Sequence, residues 1–156
     1  MSETSLRSIR EFLALKRIAV AGASRNPNDF NAQLFRDLLK LGYDAVPVNP
    51  QASDIGGVPC YESVGKIDPP VEGVLVMTRP AQAEQIVGEC HTAGIRKVWL
   101  YRAAGEGAVS PATVDFCRRN GMDVVAGECP YMFLKGAPWY HKIHGVVLKI
   151  IGRYPA

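Results

Sequence analysis

An α/β fold with three layers, in which a mainly parallel five-stranded sheet lies between helices, is predicted by three features of the sequence. Short apolar runs alternate with longer segments in which apolar residues recur at helical spacing. Three of these helical segments are followed by a glycine, which is common just after a helix. The apolar runs are nearly continuous, as expected for strands that are covered on both faces. This alternation favours parallel strands joined by right-handed crossovers.

The first half of the chain predicts two helices and two strands. Residues 4–16 carry apolar side chains at helical spacing with charged residues between them, which indicates an amphipathic helix. The apolar run 17–22 ends in a glycine and is typical of a buried strand. Leucines at helical spacing then predict a helix over 31–41, and the next strand, 44–48, ends at an Asn-Pro turn.

The second half repeats the alternation and completes the sheet. Its predicted strands and helices are 72–77, 81–93, 97–101, 110–120 and 123–126. A Ser-Pro pair opens the helix 110–120, which is a favoured helix start. An extra C-terminal helix is predicted over 138–155, packed on an edge or a face of the sheet. Together these elements predict a Rossmann-like fold and a single domain over residues 1–156.

The composition is that of an ordinary globular domain, with 47% hydrophobic and 21% charged residues. The formal net charge is +3, but Lys and Arg are scattered rather than concentrated on one stripe, so nucleic acid is not an expected partner. No run approaches the roughly 20 apolar residues of a membrane span, and no signal peptide is recognised. None of the four cysteines forms a CxxC pair, so reduced thiols and a cytoplasmic protein are expected.

The turn after the first predicted strand is the first candidate binding site, because doubly wound sheets bind ligands beyond the carboxyl ends of their strands. Gly22 removes a side chain where a phosphate could approach. The backbone N–H groups around Ala23 and the hydroxyl of Ser24 can donate hydrogen bonds to it, and Arg25 adds positive charge. A full G-x-G-x-x-G pattern and a P-loop pattern are both absent, so an ordinary strand-to-helix turn is the alternative.

The end of the second predicted strand carries Asn49 and Pro50. NAD-binding domains commonly place an acidic residue here for the ribose diol, whereas Asp44 of this chain lies at the opposite end of the strand. This difference disfavours NAD without excluding NADP. Asn49 and Pro50 offer an amide and a flat apolar surface to a ribose or an adenine, and an ordinary Asn-Pro turn is the alternative.

The ends of the third and fourth main strands also carry arginines. Thr78 is expected to cap the helix that follows, and Pro80 fits its first turn. Arg79 lies between them at the carboxyl edge, and Arg102 follows the next strand. With Arg25, three strand ends in the sheet carry an arginine, which favours a polyanionic ligand over random surface charge.

These segments resemble the stand-alone CoA-binding proteins related to the CoA-binding domain of succinyl-CoA synthetase alpha subunits. The similarity lies in the segments 18–24, 42–50, 98–100, 120–121 and 127–130. Many members of the family have a proline after the serine of the first turn, where this chain has Arg25. The synthetase also needs a second domain with a phosphorylated histidine, so its activity is not expected of these residues.

The resemblance implies a Rossmann-like CoA-binding fold and a role for each matching segment. Gly22, Ala23 and Ser24 would cradle the phosphates of coenzyme A. Asn49 and Pro50 would border its adenosine. The opposite wall would be formed by residues 78–80.

Candidate catalytic and metal-binding groups are few. His141 and His144 lie three residues apart in the predicted tail helix, but without an H-E-x-x-H pattern a packing role is favoured over a metal site shared with Cys129. A buried thiol is likewise favoured for Cys129, because reactivity requires a lowered pKa. Ser24 lacks a G-x-S-x-G context. We therefore predict neither a catalytic residue nor a metal site.

Three hypotheses follow for the function. The leading one is a non-catalytic module that binds coenzyme A, or an acyl-CoA, through the glycine turn. The second is an NADP-binding oxidoreductase or redox-sensing protein, which the missing G-x-G-x-x-G disfavours. The third is an interaction protein with an empty pocket, whose aromatic tail, 138–154, forms a homodimer face.

Overall fold

The central sheet has the predicted parallel arrangement. The computed structural model describes residues 4–102 and 107–135. Five strands form this sheet: β1 (Arg17–Ala21), β2 (Asp44–Val48), β5 (Gly73–Val76), β6 (Lys97–Leu100) and β7 (Asp123–Ala126). They lie in the order β2-β1-β5-β6-β7, and all neighbours are parallel. The chain crosses back over β1 between β2 and β5, so the topological switch point lies between β1 and β5.

Helices cover both faces of the sheet and give the predicted three-layer, Rossmann-like α/β fold. They are α1 (Leu6–Leu13), α2 (Phe30–Lys40), α3 (Pro80–Thr92) and α4 (Pro111–Arg119). One buried cluster joins the sheet to α1 and α2, and a second cluster joins the other face to α3 and α4. Successive strand residues alternate between the two clusters, as the period of a strand requires. The predicted helix 138–155 lies outside the described residues.

A small antiparallel hairpin between the main strands was absent from the sequence predictions. It consists of β3 (Asp54–Ile55) and β4 (Val58–Pro59), joined by Gly56 and Gly57. Both glycines have positive φ, at 59° and 80°, which is the backbone that tight hairpin turns require. The chain that follows the hairpin pairs Tyr61 with β2 and covers that edge of the sheet.

Trp99 of β6 is the largest fully buried side chain of the described core. Its ring meets Phe12 of α1 edge to face, with centroids 5.4 Å apart. Its indole N–H donates to the carbonyl oxygen of Glu128 at 2.8 Å. Trp99 therefore ties the sheet to α1 and to the segment that follows β7.

An ionic network at the amino end of the sheet holds α1 against β6 and β7. Lys97 Nζ lies 2.7 Å from a carboxylate oxygen of Glu11 and 3.2 Å from one of Asp123. Arg7 Nε lies 2.7 Å from the other Glu11 oxygen. The hydrogen bonds from Lys97 and Arg7 lower the pKa of Glu11 to about 2. The network thus favours the charged form of Glu11 in the folded state.

We expect Glu11→Gln to lower the melting temperature at about pH 7. Since the pKa of Glu11 is lower in the folded chain than in the unfolded chain, its contribution is present above the ordinary carboxyl pKa and disappears as the pH falls toward about 2. Thermal melts across this range check the sign. The exposed Glu84 provides the control, Glu84→Gln. A Glu11→Gln deficit that stays constant down to about pH 2 would contradict this role.

Candidate functional site

A crevice opens at the carboxyl ends of the central strands, beside the switch point of the sheet. Its more enclosed part, here called the cleft, has a volume of about 610 Å³ and lies between the ends of β1, β2 and β5 and one face of α3. Its more open part, here called the loop cavity, measures about 630 Å³ and follows residues 22–26 of the loop after β1. Gly22, Asn31 and Asn49 line both parts, so the two parts form one crevice.

Gly22 is needed here because two strand ends approach closely. Its φ is +92°, and a Cβ at this position would lie only 2.7 Å from the carbonyl oxygen of Met77. Its own N–H donates to the carbonyl oxygen of Val48 at 3.1 Å, so this amide is already used by the fold. Gly22 shapes the crevice by letting the end of β1 lie against the end of β5.

The next three residues of the turn have the backbone groups that an anion would need. Ala23, Ser24 and Arg25 border the loop cavity, and of the three Ala23 is fully buried, with 0% of its surface exposed. Within the part of the chain that the structure describes, no acceptor pairs with the N–H of any of the three. Successive N–H groups without partners in a turn are typical of phosphate-binding loops.

The Ser24 hydroxyl forms hydrogen bonds within the loop, and a hydrogen bond from it to a ligand stays a prediction. The hydroxyl donates to a carboxylate oxygen of Asp29 at 2.5 Å and accepts from the N–H of Asn26 at 3.1 Å. The Asn26 amide donates to the other Asp29 oxygen at 2.9 Å. In this arrangement the Ser24 hydroxyl hydrogen is directed to Asp29 instead of a ligand.

Two asparagines hold the walls of the crevice together. The amide of Asn31, in the first turn of α2, donates to the carbonyl oxygens of Gly22 and Met77 at 2.9 and 3.1 Å. The amide of Asn49 donates to the carbonyl oxygen of Ala23 at 3.0 Å. Asn49 lines the cleft with the exposed Pro50, where the sequence predicted the adenosine, but its NH₂ group also supports the glycine turn.

The opposite wall begins where β5 ends. Thr78 and Arg79 line the cleft. Pro80 is the first residue of α3, as predicted for a helix start. The expectation that Thr78 caps this helix is wrong, because Arg79 is the N-cap residue and the Thr78 hydroxyl donates to the Arg79 carbonyl.

The three strand-end arginines do not all lie on the same part of the crevice. Arg79 lines the cleft, and the exposed Arg25 lines the loop cavity. Arg102 lies beside Gly127, with its Nε 3.5 Å from where a Cβ of that glycine would be, and it lines neither part. Two of the three guanidinium groups therefore flank the crevice, and a contact between Arg102 and a ligand stays a prediction.

A mainly polar stripe along α3 was not predicted from the sequence. Gln82, Gln85, Ile86 and Glu89 recur at helical spacing and line the cleft. Their spacing was visible in the sequence, but nothing in it showed that this face of α3 borders a cavity. Glu62, in the segment that faces α3, also lines the cleft. The cleft therefore has amide and carboxylate groups as well as apolar surface.

Tyr101 closes the cleft at the end of β6. Its ring stacks on Phe30 with centroids 5.3 Å apart and planes inclined by 12°. Burial, with a smaller effect of Cys129, raises the pKa of Tyr101 to about 12, so its hydroxyl stays protonated near neutral pH. Burial also raises the pKa of the Cys129 thiol, although this residue is only partly buried and not fully buried as the sequence predicted.

Among residues 4–102 and 107–135, no group of three side chains is arranged to hold a metal ion. His141 and His144 lie outside these residues. No helix in the described part of the chain is long and apolar enough to cross a membrane.

Comparisons with known proteins find relatives of similar length in both sequence and structure. The uncharacterized protein YneT of Bacillus subtilis (strain 168) is 28% identical over 130 residues, which are 83% of this chain and 93% of YneT. A hypothetical protein from Pyrococcus horikoshii OT3 has a similar structure, with a TM-score of 0.73 and 29% identity over 83% of this chain and 94% of that protein.

A longer enzyme subunit contains a similar segment. The alpha subunit of the ADP-forming acetate–CoA ligase II of Pyrococcus furiosus is 26% identical over 126 residues, which are 76% of this chain but only 27% of the subunit. The chain thus spans about a quarter of that relative. The family model described as the CoA binding domain matches residues 16–135. Since this match includes the whole sheet and the crevice, the chain belongs to the CoA-binding domain family.

Proposed function

We propose that the chain binds coenzyme A, free or as an acyl-CoA, in the crevice, and that it has no catalytic activity of its own. The observation that carries this proposal is the set of three consecutive N–H groups, at Ala23, Ser24 and Arg25, that have no acceptor among the described residues. They lie at the switch point of a doubly wound sheet, where such folds bind nucleotides. Membership of the CoA-binding domain family supports coenzyme A as the nucleotide.

The chemistry of the walls supports one orientation of the ligand. The pyrophosphate would accept hydrogen bonds from the turn at residues 23–25, with Arg25 and Arg79 on either side to balance its charge. The adenosine would lie beside Asn49 and Pro50. The pantetheine arm would run past residues 78–80 toward the loops after β6 and β7.

A binding role without catalysis is the simplest use of these groups. The Ser24 hydroxyl is hydrogen bonded to a carboxylate, and no histidine lines the described crevice to act as its base. The raised pKa values of Tyr101 and Cys129 disfavour their use as nucleophiles near neutral pH. Location in the cytoplasm and a homodimer stay predictions from the sequence.

Thermal melts with CoA, dephospho-CoA, NADP and NAD test the proposal. At 100 times its Kd, a ligand stabilises the folded chain by about 2.7 kcal/mol, which corresponds to roughly 5–10 °C for a protein of this size. We expect CoA to give the largest shift, dephospho-CoA a smaller one, and NADP and NAD little. A selective NADP shift favours the oxidoreductase hypothesis instead, and no shift with CoA contradicts the proposal.

A pair of matched variants shows whether any stabilisation comes from the crevice. Arg79→Gln removes a charge from the cleft, and Arg119→Gln removes one from an exposed position on α4. We expect Arg79→Gln to reduce the CoA shift and Arg119→Gln to leave it unchanged. Equal shifts for both variants would place the ligand elsewhere.

A further inference from the structure

The loop cavity contains a carboxylate at the place where the proposed function puts the phosphates of coenzyme A. Asp29 lines this cavity together with Ser24 and Arg25. Its two oxygens accept hydrogen bonds from the Ser24 hydroxyl at 2.5 Å and from the Asn26 amide at 2.9 Å. These two donors are of the kind that phosphate oxygens accept from.

The Asp29 side chain forms its hydrogen bonds with the loop after β1 and not with the N-terminus of α2. Asp29 is the N-cap residue of α2, but its side chain makes no capping hydrogen bond. Within the described residues, no Lys or Arg side chain forms an ion pair with it, and the nearby Arg36 donates to the carbonyl oxygen of Pro27. Asp29 therefore adds a negative charge to a cavity that is proposed to bind anions. No cation among the described residues forms an ion pair with this charge.

From this geometry, and resting on the proposed function, we propose that Asp29 is a specificity-determining residue that opposes the binding of phosphate groups at the turn. It competes with a phosphate for the hydroxyl of Ser24 and the amide of Asn26, and it repels the phosphate through its own charge. This repulsion grows with the charge of the phosphate groups that occupy the turn. The internal pyrophosphate of CoA, which carries one negative charge on each phosphorus, is therefore disfavoured less than the more highly charged terminal phosphate of ADP.

Calorimetric titration of Asp29→Asn with CoA tests the proposal. This substitution keeps the size and one acceptor oxygen and removes the charge. We expect it to bind CoA about three- to tenfold more tightly than the unmodified chain at low salt, with a larger gain for ADP than for CoA. The gain should shrink in high salt, because ions screen exposed charges. Asp115→Asn changes the net charge equally, on the exposed face of α4, and should alter the affinity by less than about twofold.

The possible outcomes separate this inference from the function on which it rests. If the unmodified chain does not bind CoA, the proposed function fails. If the unmodified chain binds CoA but Asp29→Asn binds equally or more weakly, the function stands and the role of Asp29 is overturned. Asp29→Ser keeps a good N-cap residue without a charge and should show the same gain, which guards against a folding defect in the first variant.

Discussion

Gly22→Ala is expected to weaken CoA binding by at least about tenfold and to lower the free energy of unfolding by about 3 kcal/mol. Two effects contribute to the loss of stability. A φ of +92° is unfavourable for the backbone of an alanine. The alanine Cβ would also lie 2.7 Å from the Met77 carbonyl oxygen and 3.0 Å from the Thr78 methyl group. Relief of this overlap moves the end of β1 away from β5, and both parts of the crevice depend on that contact. Urea unfolding and CoA titration measure the two effects.

Gly42→Ala is the matched control for this substitution. Gly42 has the same φ of +92°, but nothing lies within 4 Å of the position of its Cβ. It ends the turn after α2, outside the crevice. We expect a loss of about 1–2 kcal/mol and unchanged CoA affinity. If Gly22→Ala behaved like Gly42→Ala in both measurements, the close approach of the two strand ends would not matter for the site.

Trp99→Ala is expected to have the largest effect on stability, a loss of about 3–5 kcal/mol. The substitution leaves a cavity in a fully buried position between the sheet, α1 and the segment after β7, and it removes the ring that Phe12 contacts. A domain of this size is stable by only about 5–15 kcal/mol, so a large part of the margin disappears. Urea unfolding followed by circular dichroism gives the value.

Trp99→Phe separates the ring packing from the hydrogen bond. Phenylalanine keeps an aromatic ring against Phe12 but has no N–H to donate to the Glu128 carbonyl. We expect it to cost about 1–2 kcal/mol. A loss below about 1 kcal/mol for Trp99→Ala would mean that the two layers around β6 do not depend on this side chain.

The sheet could be predicted from the sequence because its strands are local patterns. The strands at 44–48 and 123–126 have the predicted bounds, since each apolar run is bordered by turn residues. Helix ends differ by one to three residues, because caps such as Ser5 of α1 depend on individual hydrogen bonds. The hairpin was missed although Gly56-Gly57 is a turn signal, because its two-residue strands are too short to show alternation.

The candidate site was predicted less completely than the sheet. The sequence indicated a special role for Gly22, because a glycine after a buried strand marks a ligand-binding turn in this kind of fold. It could not show that Met77, more than fifty residues later, makes that glycine necessary. Contacts of Asp29 and Asn31 were missed for a related reason. Their residue types fit an ordinary loop and helix start, and only the folded chain directs one to Ser24 and the other to both strand ends.

A two-dimensional amide NMR titration of the chain with CoA tests phosphate binding at the turn directly. The central claim is that the N–H groups of Ala23, Ser24 and Arg25 receive the phosphates of the ligand. We predict that these three amide signals move most, while that of Gly42 stays in place. Binding of CoA that leaves the three signals unmoved and shifts those of another surface, such as the groove beside Tyr43, would contradict the claim.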